Sequence, residues 1–131
     1  MNFFFLRHTS LNIEKDIFYG QTDVDVSKNF NKELKNIKIK LTNEIRNLDK
    51  IKIFSSTLKR CVKLAQGLSK DVFFDDKLKE LDLGDWEMKP KNKISRKLIK
   101  EWEDNLIKFK IPNGESNQDF LKRLKKFLDE I

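Results

Sequence analysis

Short apolar runs that read as strands alternate along this chain with stretches whose apolar residues recur at steps of three and four, and this alternation constrains the fold most. Phe3-Phe4-Phe5-Leu6 reads as a buried strand. From Asn29 onward, Phe30, Leu34, Ile37, Leu41, Ile45 and Leu48 share one helix face, and Ile51-Lys52-Ile53-Phe54-Ser55 then reads as a strand. A second helix follows at once, with Leu58, Cys61, Val62, Ala65 and Leu68 on its inner side and Ser55 or Ser56 placed as its N-cap. Val72-Phe73-Phe74 fits a short edge strand. Ile94, Leu98, Ile99, Trp102 and Leu106 mark a third helix. Phe120, Leu121, Leu124, Phe127 and Leu128 mark a fourth, with Ser116 and Asp119 spaced as a capping box. The alternation implies βαβ units, a mostly parallel sheet and the α/β class. In such sheets functional residues gather at the carboxyl ends of the strands.

The 131 residues, 38% of them hydrophobic and 11 of them Phe, are expected to form one domain over 1–131 with a packed core. No apolar run approaches membrane-spanning length, and the Phe-rich start is too short for a signal peptide. The single cysteine, Cys61, has no internal disulfide partner, which points to a reducing, cytoplasmic setting. The formal net charge of +7 raises the possibility of nucleic-acid binding, but the lysines are scattered rather than gathered in a stripe. The reading is therefore a solvated basic surface, with no nucleic-acid and no membrane partner, whose field draws in anionic substrates.

Four segments carry chemistry. The first, Leu6-Arg7-His8-Thr9-Ser10, delivers a permanent planar cation and the only histidine of the chain at a strand end. The second, Phe54 to Cys61, runs from a strand into a helix start, a natural phosphate seat that Arg60 can lean back over. Cys61 itself lies on the apolar stripe and reads as core. The third, Leu78 to Glu87, offers carboxylic acids able to protonate a leaving group. Glu80, flanked by Leu78 and Leu81, is expected to be partly buried, although nothing local separates it from Asp82 or Glu87. The fourth, Pro112-Asn113-Gly114-Glu115-Ser116, is a turn into the last helix.

Taken in order, these segments resemble the histidine phosphatase, or phosphoglycerate mutase-like, superfamily. That family's pattern is Arg-His, then Ser-Ser-x-Leu-x-Arg, then Leu-x-Glu-x-x-x-Gly-x-Trp-Glu, then Gly-Glu-Ser. The stretches Tyr19 to Val24 and Arg60 to Ala65 look most like the α-ribazole phosphatase branch. The resemblance implies a three-layer α/β/α fold and a phosphatase without metal or other cofactor, acting on a small-molecule phosphate monoester. In it His8 is the nucleophile, Arg7 and Arg60 clamp the phosphoryl group, and Glu80 is the acid and base.

The family pattern also has a second histidine, in a His-Gly-Gly context on a strand after the Gly-Glu-Ser helix. This sequence has His8 alone. The expectation is therefore a domain incomplete at the C-terminus and missing its last strand or strands. The leading function is α-ribazole 5′-phosphate hydrolysis in cobalamin nucleotide-loop assembly. Phosphoglycerate mutase, a broad sugar-phosphate or nucleotide phosphatase, and a non-catalytic phosphate-binding remnant are the alternatives.

Overall fold

A computed structural model describes residues 2–131. Its helices are α1 (Phe30–Glu44), α2 (Lys59–Leu68), α3 (Arg96–Asp104) and α4 (Asn117–Glu130), and its strands are β1 (Ile17–Phe18), β2 (Ile53–Ser55), β3 (Val72–Phe74) and β4 (Lys89–Pro90). The chain divides into two compact units. One takes in the N-terminal stretch through Asn12 together with Val24–Asp75; the other takes in Ile13–Asp23 and Asp76–Ile131.

In the first unit β2 and β3 pair in parallel, Ile53 with Val72 and Ser55 with Phe74, with α2 as the crossover. This is the βαβ unit that the sequence pattern requires. Leu58, Leu64 and Ala65 are buried on the inner face of α2 and Leu41 on that of α1. The two helices approach closely at Gly67, where a Cβ would stand 2.7 Å from Leu34 Cδ2. Helix α1 stops at Glu44, short of the periodicity, which runs on to Leu48. Ile45 is already extended, as suits a β-branched residue, and Leu48–Lys50 forms a separate 3-10 turn that keeps Leu48 half-buried.

The Phe3–Leu6 run departs from expectation. It forms no strand, and its side chains are 48–88% exposed. An apolar run supplies the demand for burial but not the ladder partner, and no described residue bridges to it. Arg7-His8 therefore follows a segment that forms no strand. The described strands make two two-stranded sheets, one parallel and one antiparallel.

In the second unit β1 and β4 pair antiparallel, Ile17 with Pro90 and Phe18 with Lys89. Trp86, Ile94, Ile99 and Ile111 form the buried cluster. Phe18 and Phe109 stack on Trp86 at centroid distances of 6.3 and 5.9 Å, and Trp102 meets it edge-on at 5.7 Å. Helix α4 starts as its sequence predicts. Ser116 Oγ accepts from Asp119 N at 3.1 Å, and Asp119 Oδ2 accepts from Ser116 N at 3.3 Å. No helix among the described residues is long and apolar enough to cross a membrane.

Candidate active site

The first unit holds Arg7, His8 and Arg60. His8 is half-buried, and its Nδ1 lies 2.7 Å from the backbone oxygen of Thr9. A carbonyl can only accept, so in this bond Nδ1 carries the proton, and the neutral imidazole then has its lone pair on Nε2. The segment after His8 is firmly anchored. Ser27 N donates to Ser10 O and Asn12 N to Asp25 O, both at 2.9 Å, around an antiparallel bridge between Leu11 and Val26. Ser10 N also donates to Glu33 Oε2 at 2.9 Å and its hydroxyl to Glu33 Oε1, tying this loop to the first turn of α1. These bonds from the Ser10 hydroxyl and N–H lower the Glu33 pKa from its ordinary value.

Arg60 lies in the first turn of α2 and is 1% exposed, so it is no surface ion-pair partner. A guanidinium keeps its charge when buried, and here it stands at the positive end of a helix. That placement suits an anion. Neither Ser55 nor Ser56 caps α2: Leu58 occupies the cap position, and the Ser55 hydroxyl donates to Ser56 O at 2.9 Å. Thr9 Oγ1 and Ser56 Oγ are buried with no hydrogen-bond partner among the described residues. They are hydroxyl donors on the same two segments as His8 and Arg60; from the sequence alone Ser56 reads only as a helix cap, and Thr9 has no role. Arg7 is exposed.

The second unit holds Glu80, and it joins the third and fourth motif segments. Asp85 N donates to Pro112 O and Glu115 N to Asp82 O, both at 2.9 Å, while Asp82 N donates to Glu115 Oε2 at 3.0 Å. Asn113 Nδ2 contacts both carboxylate oxygens of Asp85 at 3.0 Å. The backbones approach so closely that a Cβ on Gly84 would strike Pro112 O, Asn113 C and Gly114 N. Gly84 also has φ +46, so its lack of a side chain is required on both counts.

The three candidate acids separate by what they hold. Glu87 accepts from Gln21 N at 2.8 Å, Leu83 N at 3.3 Å and the Thr22 hydroxyl, and so fixes the Tyr19–Thr22 turn. Asp82 Oδ1 accepts from Gly84 N at 2.9 Å. Glu80 is exposed, contrary to the expectation of partial burial, and its Oε1 accepts from the N–H of the adjoining Leu81 at 2.8 Å. The flanking leucines pack without covering it: Leu81 turns to the Trp86 cluster while the Glu80 side chain stays in solvent.

The family model of the histidine phosphatase superfamily (branch 1) matches residues 3–131. The chain belongs to that superfamily. Among solved structures it is similar to TTHB049 from Thermus thermophilus, with 23% identity and a TM-score of 0.75 over 95% of this chain and 69% of that one. It is also similar to a protein of Escherichia coli K-12 provisionally named an alpha-ribazole-5′-P phosphatase, with 20% identity, a TM-score of 0.80, and coverage of 95% and 63%. A mycobacterial glucosyl-3-phosphoglycerate phosphatase matches at 21% identity and a TM-score of 0.78, with coverage of 94% and 59%, and is also known in complex with inorganic phosphate. At these identities the likeness shows the fold, and the chain spans 59–69% of these relatives' length. No functionally curated protein matches it by sequence.

Proposed function

We propose that the full natural polypeptide carrying this histidine phosphatase chain is a phosphomonoesterase acting through a phosphohistidine on His8. The observation that carries this reading is the bond between His8 Nδ1 and the Thr9 carbonyl, which leaves the lone pair on Nε2. Nε2 attacks the phosphorus, and the ester P–O bond breaks with its electron pair passing to the departing oxygen. Arg60 and Arg7 neutralise the charge spread over the phosphoryl oxygens. Glu80, whose side chain is exposed and tied only locally, to the N–H of the adjoining Leu81, gives the departing oxygen its proton. It then takes a proton from the water that cleaves the P–N bond, releasing inorganic phosphate and restoring His8.

The substrate we propose is α-ribazole 5′-phosphate, formed in the cytoplasm during assembly of the cobalamin nucleotide loop. The Tyr19–Val24 and Arg60–Ala65 sequences support that choice, as does the name of the Escherichia coli relative. We read residues 1–131 as one domain of a three-layer α/β/α protein, on the strength of the parallel β2–α2–β3 unit and the unbroken family match.

The test is rapid quenching with 32P-labelled substrate. An acid-labile, alkali-stable label that His8→Ala abolishes is expected; normal turnover by His8→Ala would sink the mechanism. For the substrate, kcat/KM is compared among α-ribazole 5′-phosphate, 3-phosphoglycerate and simple sugar phosphates. A flat profile across that panel means a broad phosphatase instead.

A further inference from the structure

Arg123, on the second turn of α4, lies outside every motif segment, yet its guanidinium is fully committed. Nε donates to Glu115 Oε1 at 2.9 Å and Nη2 to Glu115 Oε2 at 2.8 Å. Nη1 donates to Lys77 O at 2.7 Å and Lys79 O at 2.8 Å, and Nη2 donates to Glu80 O at 3.2 Å. A guanidinium has five N–H donors, and these bonds use all of them. Phe120 covers it at 4.9 Å from the ring centroid. With no donor left over, Arg123 is not built to bind substrate.

What it fixes is specific. The carbonyls of Lys79 and Glu80 belong to the two peptide planes that flank the Glu80 Cα. Holding both planes sets φ and ψ there, and with them the direction in which the Glu80 side chain leaves the backbone. Gln21 Nε2 reinforces the second plane, donating to Glu80 O at 3.1 Å. Glu115 closes the bracket on the far side by accepting from Asp82 N at 3.0 Å while it holds Arg123 in its bidentate grip.

We infer that Arg123, gripped by Glu115, is a positioning residue that aims the carboxyl of Glu80 for proton transfer to the leaving group. This rests on the proposed role of Glu80 as the acid. Lysine keeps the charge but has three donors in no planar fork, so it cannot hold the same carbonyls.

The experiment compares an alkyl phosphate, whose poor leaving group needs a proton, with 2,4-dinitrophenyl phosphate, whose leaving group does not. Wild type, Glu80→Gln, Arg123→Lys and Glu115→Gln are assayed in the full natural polypeptide, each below its own melting temperature. Positioned acids contribute about 10²–10⁴-fold, so Arg123→Lys and Glu115→Gln are expected to slow the alkyl ester roughly 10–100-fold and the dinitrophenyl ester less than about threefold. Equal slowing of both esters by Arg123→Lys and Glu115→Gln means a structural latch only, and overturns the inference. If Glu80→Gln shows the split and these variants do not, the inference fails while the role of Glu80 stands. If Glu80→Gln shows no split, the role of Glu80 falls and the inference with it. Glu115→Gln preserves shape and the Asp82 contact, so it reports even where Arg123→Lys does not fold.

Discussion

At the scale of single residues, charge and geometry are separable at Arg60. Arg60→Lys keeps the cation in the first turn of α2 but loses the planar fork, so phosphoenzyme formation is expected to fall about 10²-fold with the fold intact. Rapid-quench rates and circular dichroism check this. Glu115 gives a pH prediction. Burial raises its pKa, but the hydrogen bond and charge of Arg123 and the Asp82 N–H outweigh that, and the pKa lies below the ordinary 4.5. A lowered folded-state pKa contributes stability that is fully present above the unfolded value and fades as pH falls through the folded one. The melting-temperature gap between wild type and Glu115→Gln is therefore expected to be constant near neutrality and to close below about pH 4.5. A gap independent of pH contradicts it. Of these residues, His8 and Arg60 stand out as candidates in the sequence because their neighbours form a local pattern. Arg123 was not: it acts on carbonyls more than 40 residues away in sequence, as its bonds to Lys77, Lys79 and Glu80 show, and backbone carbonyls leave no trace in side-chain identity.

At the scale of elements, the joint between the third and fourth motif segments is backbone against backbone. Gly84→Ala would place a methyl group against Pro112 O and Gly114 N at a left-handed φ. The expected cost exceeds about 1 kcal/mol, since neither the strain nor a backbone clash can relax by side-chain rotation. Urea denaturation of the variant measures it, and an unchanged midpoint rules out this account of the joint. The helices were legible from spacing because each buries one face: Ala65 on α2, Ile99 on α3 and Phe127 on α4 all fall on the predicted stripes, while Leu64, buried beside Ala65, lies outside the stripe read for α2. Their ends were less so. Leu48 keeps the period of α1 in sequence after the helix has stopped, but it sits half-buried in a separate 3-10 turn. Phe3–Leu6 failed for a different reason. Strand identity depends on a partner, and the composition of one run says nothing about whether its neighbour is present.

At the scale of the whole molecule, a net charge of +7 acts on any phosphate ester before contact. The Debye length shrinks from about 10 Å at 0.1 M salt to about 3 Å at 1 M, so kcat/KM toward a dianionic ester is expected to fall severalfold over that range. Stopped-flow or steady-state assays across ionic strength check it, and a rate independent of salt removes the steering role.

The division of the chain also orders its synthesis. It leaves the second unit at Asp23 and re-enters it at Asp76, with the body of the first unit inserted between. A ribosome therefore delivers Phe18 early and must complete Val24–Asp75 before Trp86, the ring on which Phe18 stacks, exists at all. A nascent chain stalled at Asp75 carries every residue of the first unit but, of the second unit's hydrophobic centre, Phe18 without Trp86, Ile94, Ile99 or Ile111. Because closing a loop costs only about 0.6 kcal/mol more for each doubling of its length, the insertion weighs little on final stability and mainly on timing. Of the two units, the one built on Trp86 is the later to have its buried residues synthesised.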